Sequence, residues 1–177
     1  MERSKVVGTV KKITWNLLII LILLIGVEIF QSRSLTDQLN VKITNQDLPL
    51  LNSTQKRSLL DQSKEYTLIY VFAPWCQVCE LSAANMNQWI DSNLAPKALA
   101  LSYGTSHEVA KFVRKTGLSI PIALGGEELA ADLGIQAFPS YLLVNQEGKV
   151  LYSWVGYSSE WGTKIKVTFF SLVDRLT

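Results

Sequence analysis

The chain is 177 residues long and is poor in the side chains from which metal sites and disulfide frameworks are built. It has two cysteines, Cys76 and Cys79, one histidine, His107, and two methionines. A structural zinc site takes about four Cys or His ligands, so no closed site can be assembled within one chain. A c-type haem attachment wants histidine directly after the second cysteine, and Glu80 stands there. The same scarcity of Met and His argues against a dedicated copper protein, although the two thiols alone suit Cu(I). No cysteine is left over for a second, structural bridge. Neither a bound metal nor a cofactor is therefore expected.

A one-sided charge is lacking as well. Arg3, Lys5, Lys11 and Lys12 lie in residues 1–12 beside a single acid, Glu2. Taking those four cations, Glu2 and Glu28 from the 17 Lys/Arg and 15 Asp/Glu leaves 13 of each sign for residues 31–177. Nucleic-acid binding wants a basic face, and so balanced a domain argues against it. Repeats and low-complexity runs are absent too.

What is present begins with one apolar run, Ile13 to Phe30, in which only Asn16 and Glu28 are strongly polar. It is close to the shortest run that spans about 30 Å of hydrocarbon. Trp15 sits near one edge, where indole favours the interface. The run is longer than a typical signal-peptide core, and Glu28-Ile29-Phe30-Gln31-Ser32-Arg33 offers no small-residue cleavage site. A retained signal-anchor is favoured over a cleaved signal peptide. The basic flank then stays in the cytoplasm and the domain crosses the membrane. The expected layout is a flank over 1–12, an anchor over 13–30, a polar tether over 31–47 and a domain over 48–177.

The stretch that carries chemistry is Tyr66 to Cys79, YTLIYVFAPWCQVC. Tyr66 to Phe72 reads as a buried strand, which Ala73-Pro74 ends. Trp75 leads into Cys76-Gln77-Val78-Cys79, and helical character continues to about Asn93. A thiol at a helix start meets unpaired amides and the positive end of the helix dipole, which favour its thiolate. The second thiol, three residues on, shares that helix face and can close a disulfide with the first. The chemistry suggested is thiol–disulfide exchange. A plain structural bridge is the alternative, but so short a loop gains little stabilisation from one.

The flanking elements are read more coarsely. Leu59-Leu60 is an apolar pair on an expected short helix. Ala98–Tyr103 is a second buried strand. Glu108–Lys115 forms a helix with its cap in Gly104–Ser106 and its stop at Gly117, which leaves His107 on the surface. A short strand over Ile120–Leu124 and a helix over Glu127–Leu133 follow. Phe138-Pro139 opens an apolar strand at a position that suits a cis peptide, and Gln146–Lys149 turns it back through Val150–Val155. Trp161–Leu176 reads as a last helix with Ile165, Phe169, Leu172 and Leu176 at helical spacing. Trp154 and Trp161 are expected to pack rather than to form a binding platform.

Together, VFAPWCQVC, AFPSYLLVNQEGKVL and the order of strands and helices resemble the thioredoxin superfamily over roughly residues 46–177. The stretch between Cys79 and Pro139 is longer than in thioredoxin, as for a strand-plus-helix insert around Ala98–Lys115. With the anchor, this is similar to the membrane-tethered TlpA/ResA/DsbE branch, nearest to its copper-sensitivity-suppressor (ScsD-like) type. The resemblance implies an α/β thioredoxin-like fold, a central mixed sheet flanked by helices, and a protein-disulfide oxidoreductase at a bacterial cytoplasmic membrane with its domain in the periplasm. It implies Cys76 as nucleophile, Cys79 as buried resolving thiol, and Pro139 as the cis-proline beside them. Phe138 would present its backbone to substrate and Trp75 would flank it. Partners would be protein thiols and disulfides and a membrane thiol-electron carrier, with the pair acting as a reductase. Two departures stand out. Thioredoxin's buried aspartate is replaced by Tyr70, a poor proton acceptor at neutral pH, and an acid common in ResA-like proteins is replaced by Ser82. The proton acceptor for Cys79 is left unassigned, and electron flow in the disulfide-donor direction, a thiol copper module and a non-catalytic adaptor stay open as alternatives.

Overall fold

The computed structural model describes residues 14–16, 18–20, 22–23, 26, 42–89 and 97–176, with backbone alone over 97–103. Two compact units divide the chain, Met1–Leu35 and Thr36–Thr177. In the first, the described residues are helical and exposed. Among the described residues, no helix is long and apolar enough to cross a membrane. The basic flank and half of the anchor expected over 13–30 lie outside the described residues, as does the tether up to residue 41.

The second unit takes in residues that polarity alone assigns to the tether. Ile43 is buried, its N–H donates to the Gly148 carbonyl at 2.8 Å, and Lys42 bridges to Lys149. Gly148 has φ 84°, and a Cβ there would fall on the carbonyl oxygen of Ile43. The hairpin turn thus needs glycine for its own backbone and for the close approach of the incoming chain. A small antiparallel pair follows, β1 (Asp47–Pro49) with β2 (Lys56–Ser58). Leu59 and Leu60 are buried as expected, but in a bend rather than a helix. Their amides are taken up by the Gln46 carbonyl and the Asn45 side chain, which leaves no local donors to nucleate a helical turn.

The main sheet has five strands in the order β5-β4-β3-β6-β7. Its centre is β3 (Tyr66–Phe72), buried at every position, as its aromatic and β-branched content demands. Helix α1 (Gln77–Ala83) and a 3₁₀ segment (Ala84–Trp89) lead from it to β4 (Lys97–Tyr103), which lies parallel to β3. The helix expected to run to Asn93 narrows to 3₁₀ after Ala83, and residues 90–96 lie outside the described ones. The Asn85 and Asn87 side chains hydrogen-bond to Ser158, Gly117 and Ser119, ties that fix this segment from outside in place of regular helix packing. Next come α2 (Ser106–Thr116), β5 (Ile122–Gly125) parallel to β4, and α3 (Glu127–Asp132). Then β6 (Ser140–Asn145) pairs antiparallel with β3, β7 (Val150–Val155) pairs with β6, and α4 (Glu160–Leu176) closes the chain.

The α/β class, the mixed sheet and the flanking helices agree with expectation. The position of the insert does not. Strand β4 is hydrogen-bonded on both sides, to β3 and to β5, so it is an inner strand. The pair that can be lifted away without opening the sheet is α2 with β5.

Alternation along the strands divides the core in two. Leu68, Tyr70 and Phe72 of β3 join Tyr141 and Leu143 of β6 on one face, under α1, α2 and α4. Ile69, Val71, Leu142 and Val144 face the other way, against Leu129 and Leu133, and against Ile43, Leu48, Leu59 and Leu60. Phe72 stacks on Phe112 of α2 with centroids 4.6 Å apart, and burial of such a side chain contributes about 1.5–3 kcal/mol. Helix α2 is held at its N-terminus by a reciprocal box between Thr105 and Glu108 and stopped by Gly117 at φ 69°, as its sequence signals.

Helix α4 departs from its pattern. It buries Thr163 and Val167, whereas Trp161, Ile165, Phe169, Leu172 and Leu176 are exposed. Trp154 packs as expected, stacked on Tyr141 at 4.7 Å. Trp161 does not, because it lies on the helix face opposite the two buried residues.

Candidate active site

The site grows out of the C-terminal end of β3. Beyond Phe72 the chain must leave the sheet, because Pro74 offers no amide for a ladder bond. The Cys76 N–H instead closes a turn onto the Ala73 carbonyl at 3.0 Å. Gly104, at the end of the neighbouring β4, makes room for that turn. A Cβ on it would approach the Pro74 ring to 2.8 and 2.9 Å, and a proline ring held in a turn has little freedom to yield. Reading the sequence found only a turn signal at Gly104. Its closeness to Pro74 is a tertiary fact.

Cys76 is the N-cap of α1, with extended backbone (φ −85°, ψ 110°), and its Sγ accepts the Cys79 amide at 3.1 Å. The two cysteines form a disulfide, their Cα atoms 5.2 Å apart. Only Cys76 reaches solvent, with 8 % of its surface open against none for Cys79. In the reduced pair the amide that faces Cys76 would make a charge-assisted bond to a thiolate. Cys79, sealed among Ala83, Met86 and the aromatics of the core, is penalised for any charge.

The expected flanking residues meet at this end of the sheet. The Phe138-Pro139 peptide is cis. The pairing of Val71 with Ser140 brings Pro139 level with the last residue of β3. Trp75 is exposed and meets Phe138 edge-on, centroids 5.7 Å apart and planes at 87°. Pro139 lends its carbonyl to the Gly156 amide at 2.8 Å, which fixes the loop after β7 beside it. A groove on the other flank of Trp75 is walled by Pro74, Phe112, Lys111 and the Glu80–Lys115 ion pair. His107 is exposed in the first turn of α2.

Behind Cys79 lies a constellation that the sequence showed only as two separate departures. The Tyr70 hydroxyl donates to the Cys79 carbonyl at 3.0 Å and stands 3.3 Å from Ser82 Oγ. Ser82 in turn donates to the Val78 carbonyl at 3.1 Å. Tyr141 completes the wall, its ring 5.1 Å from that of Tyr70. Its hydroxyl is near enough to Ser82 to feel it, yet has no hydrogen-bond partner among the described residues. Burial raises Tyr70 far above the ordinary phenol range, with the neighbouring Tyr141 adding to it. Burial also pushes Tyr141 up to about 12, against a smaller opposing pull from Ser82. Both phenols stay protonated at neutral pH, so this cluster positions the helix and accepts no proton.

The two carboxylates near the cysteines in sequence are engaged elsewhere. Glu80 is gripped by Lys115 Nζ at 2.6 and 2.7 Å. Glu65 receives Arg175 Nε at 3.0 Å and the Tyr66 hydroxyl at 3.1 Å. The Arg175 guanidinium holds the Glu65 carboxyl below the usual range.

The AhpC/TSA family matches this chain over residues 39–153. The chain belongs to that thioredoxin-like family. Among curated proteins none matches it. Similar solved structures include a thioredoxin-family thiol:disulfide interchange protein from Chlorobium tepidum, 16% identical, with a TM-score of 0.62 and coverage of 73% of this chain and 94% of the other. StoA from Bacillus subtilis is 17% identical, with a TM-score of 0.60 over 69% and 95%. A secreted Mycobacterium tuberculosis disulfide oxidoreductase is 14% identical, with a TM-score of 0.58 over 75% and 98%. Identities this low establish a shared fold. The chemistry of this AhpC/TSA-family chain rests on its own cysteine pair, whose arrangement is that of a protein-disulfide oxidoreductase.

Proposed function

We propose that this protein is a membrane-tethered thiol–disulfide oxidoreductase that reduces protein disulfides outside the cytoplasmic membrane, as a copper-sensitivity-suppressor type member of its branch. The asymmetry of the pair carries the reading. Cys76 keeps a narrow opening to solvent, 8 % of its surface, and faces an amide donor, while Cys79 is sealed in the core. Cys76 thiolate attacks one sulfur of a substrate disulfide. That S–S bond breaks, one substrate thiolate leaves, and a mixed disulfide forms. Cys79 sulfur then attacks Cys76 Sγ and expels the second substrate thiolate, which takes up the Cys79 proton. Two electrons have passed to the substrate, and the pair is left as a disulfide. This proton route suits a site whose buried neighbours are phenols and a serine.

Trp75, Phe138 and Pro139 would line the mouth through which a substrate strand reaches Cys76, with the backbone of Phe138 offering ladder bonds. The basic flank followed by the apolar run over 13–30 supports a tether with the domain outside. In an oxidising compartment a reductase needs electrons from within, hence a membrane thiol carrier as partner. The test is the redox state of the pair in cells, read by acid quench and thiol-specific mass tagging. A mostly reduced pair is expected. A mostly oxidised pair with the electron supply intact would overturn the reductase reading and favour a disulfide donor.

A further inference from the structure

Helix α4 turns its more apolar face away from the domain. Thr163 and Val167 face the core at 0 and 2 % exposure. The outward face carries Trp161, Ile165, Phe169, Leu172 and Leu176, exposed between 54 % for Leu172 and 79 % for Leu176. Spacings of four, four, three and four residues keep all five on one line, roughly 22 Å long at 1.5 Å per residue. Apolar residues scattered singly over a surface need no explanation, but a contiguous line of five does.

The charges of α4 are sorted around that line. At 100° per residue, Lys164 and Arg175 border it on one side, while Glu160 and Asp174 lie on the inner half of the helix. Lys166, on the other side, reaches back to the domain, its Nζ 5.5 Å from the centroid of the Trp154 ring. Lys164 Nζ sits 5.7 Å from the Trp161 ring centroid, and Arg175 bonds Glu65 at the other end. An apolar ridge that includes Trp and Phe, edged by long cationic side chains, is the pattern of a helix lying in a membrane interface. A second copy of the chain is a poorer fit. Pairing the ridge with itself would bring the Lys164 ammonium of each copy to the seam, where a cation loses its hydration.

We propose that the outer face of α4 docks on the bilayer surface, its apolar ridge at the headgroup–acyl boundary and Lys164 toward the headgroups. This rests on the membrane-tethered reading given above. The segment 31–41 cannot reach beyond about 40 Å even fully extended, a few domain radii, so a tethered domain meets the bilayer continually. Docking would restrict the orientations from which the Cys76 end is offered to membrane-bound and soluble partners.

The experiment uses the full chain reconstituted in phosphatidylcholine–phosphatidylglycerol vesicles carrying a lipid brominated near the headgroup. The readout is the part of the tryptophan emission that Trp161→Phe removes. The brominated lipid should lower it about three-fold relative to unbrominated vesicles. Ile165→Glu with Phe169→Glu should abolish that quenching while the disulfide-exchange rate stays unchanged, since both positions are exposed and remote in sequence from the cysteine loop. Vesicle-bound chain with unquenched Trp161 emission would overturn the docking and leave the tether intact. Unquenched emission with cross-links between α4 helices of two copies would overturn it in favour of self-association. Chain left in the supernatant would overturn the tether and the docking with it.

Discussion

The space in front of the cysteine pair and the space behind it are built from different chemistry. In front stand an exposed indole, a phenyl edge and a cis-proline, with a charged groove alongside. Behind stand Tyr70, Ser82 and Tyr141, all fully buried and all neutral. The difference teaches where reactivity resides. The front can receive a peptide and sustain a thiolate, whereas the back can hold a helix in place but cannot take a proton. A pair of equal cysteines is thereby made unequal by its two neighbourhoods.

The sharpest way to break this comparison is to remove one sulfur at a time. Cys76→Ser should lower disulfide reduction by about three orders of magnitude or more, because the nucleophile itself is lost. Cys79→Ser should instead accumulate a mixed disulfide with a model substrate, linked through Cys76 and visible by mass spectrometry. Equal trapping by either variant would mean that front and back do not differ.

Much of the front was legible in the sequence. A β-rich run ending at Pro74 and a cysteine at the following helix start are local signals, and Phe138-Pro139 is another. The back was legible only as missing acids. Tyr70, Ser82 and Tyr141 are far apart in the chain, and a tyrosine inside an apolar strand reads as ordinary core. Only the register of β3 with β6 and the path of α1 bring the three hydroxyls together. Helix α4 was legible as a helix, but the packing expected of Trp161 was not met, for a related reason: periodicity reports that an apolar line exists but not which side of the helix the domain takes. Leu59 and Leu60 were found as buried, yet their structure depends on acceptors from Asn45 and Gln46 that no local pattern advertises.

The back is best probed with Tyr70→Phe, which deletes one hydroxyl and keeps the ring. The loss of its bond to the Cys79 carbonyl should cost about 1 kcal/mol of unfolding free energy, read by denaturant titration. The pH dependence of the exchange rate between pH 6 and 9 should keep its shape, since this phenol is not a proton acceptor. A displaced pH profile would assign the cluster a catalytic part. Gly104→Ala tests the front from outside it: a Cβ pressed on Pro74 should destabilise by about 1–2 kcal/mol and slow Cys76 without altering the environment of Cys79.

A smaller effect is expected at Trp75, where replacement by Ala should raise KM for protein disulfides several-fold and leave kcat nearly unchanged. The smallest concerns the far end of α4. The Glu65 carboxyl titrates below its unfolded value, so the stability it lends is present above the unfolded carboxylate pKa of about 4.3 and is lost as pH falls through the lower folded one. Arg175→Ala should return the Glu65 titration, followed by NMR, to the ordinary range. Its effect on exchange chemistry should be nil.

The most direct test of the account is alkylation of the reduced protein under native conditions, with each cysteine followed separately by peptide mass spectrometry across pH. The account predicts that Cys76 is modified first, at pH values well below the ordinary thiol pKa of about 8.5, while Cys79 stays unmodified until the protein unfolds. Comparable rates at the two positions, or earlier reaction of Cys79, would contradict it.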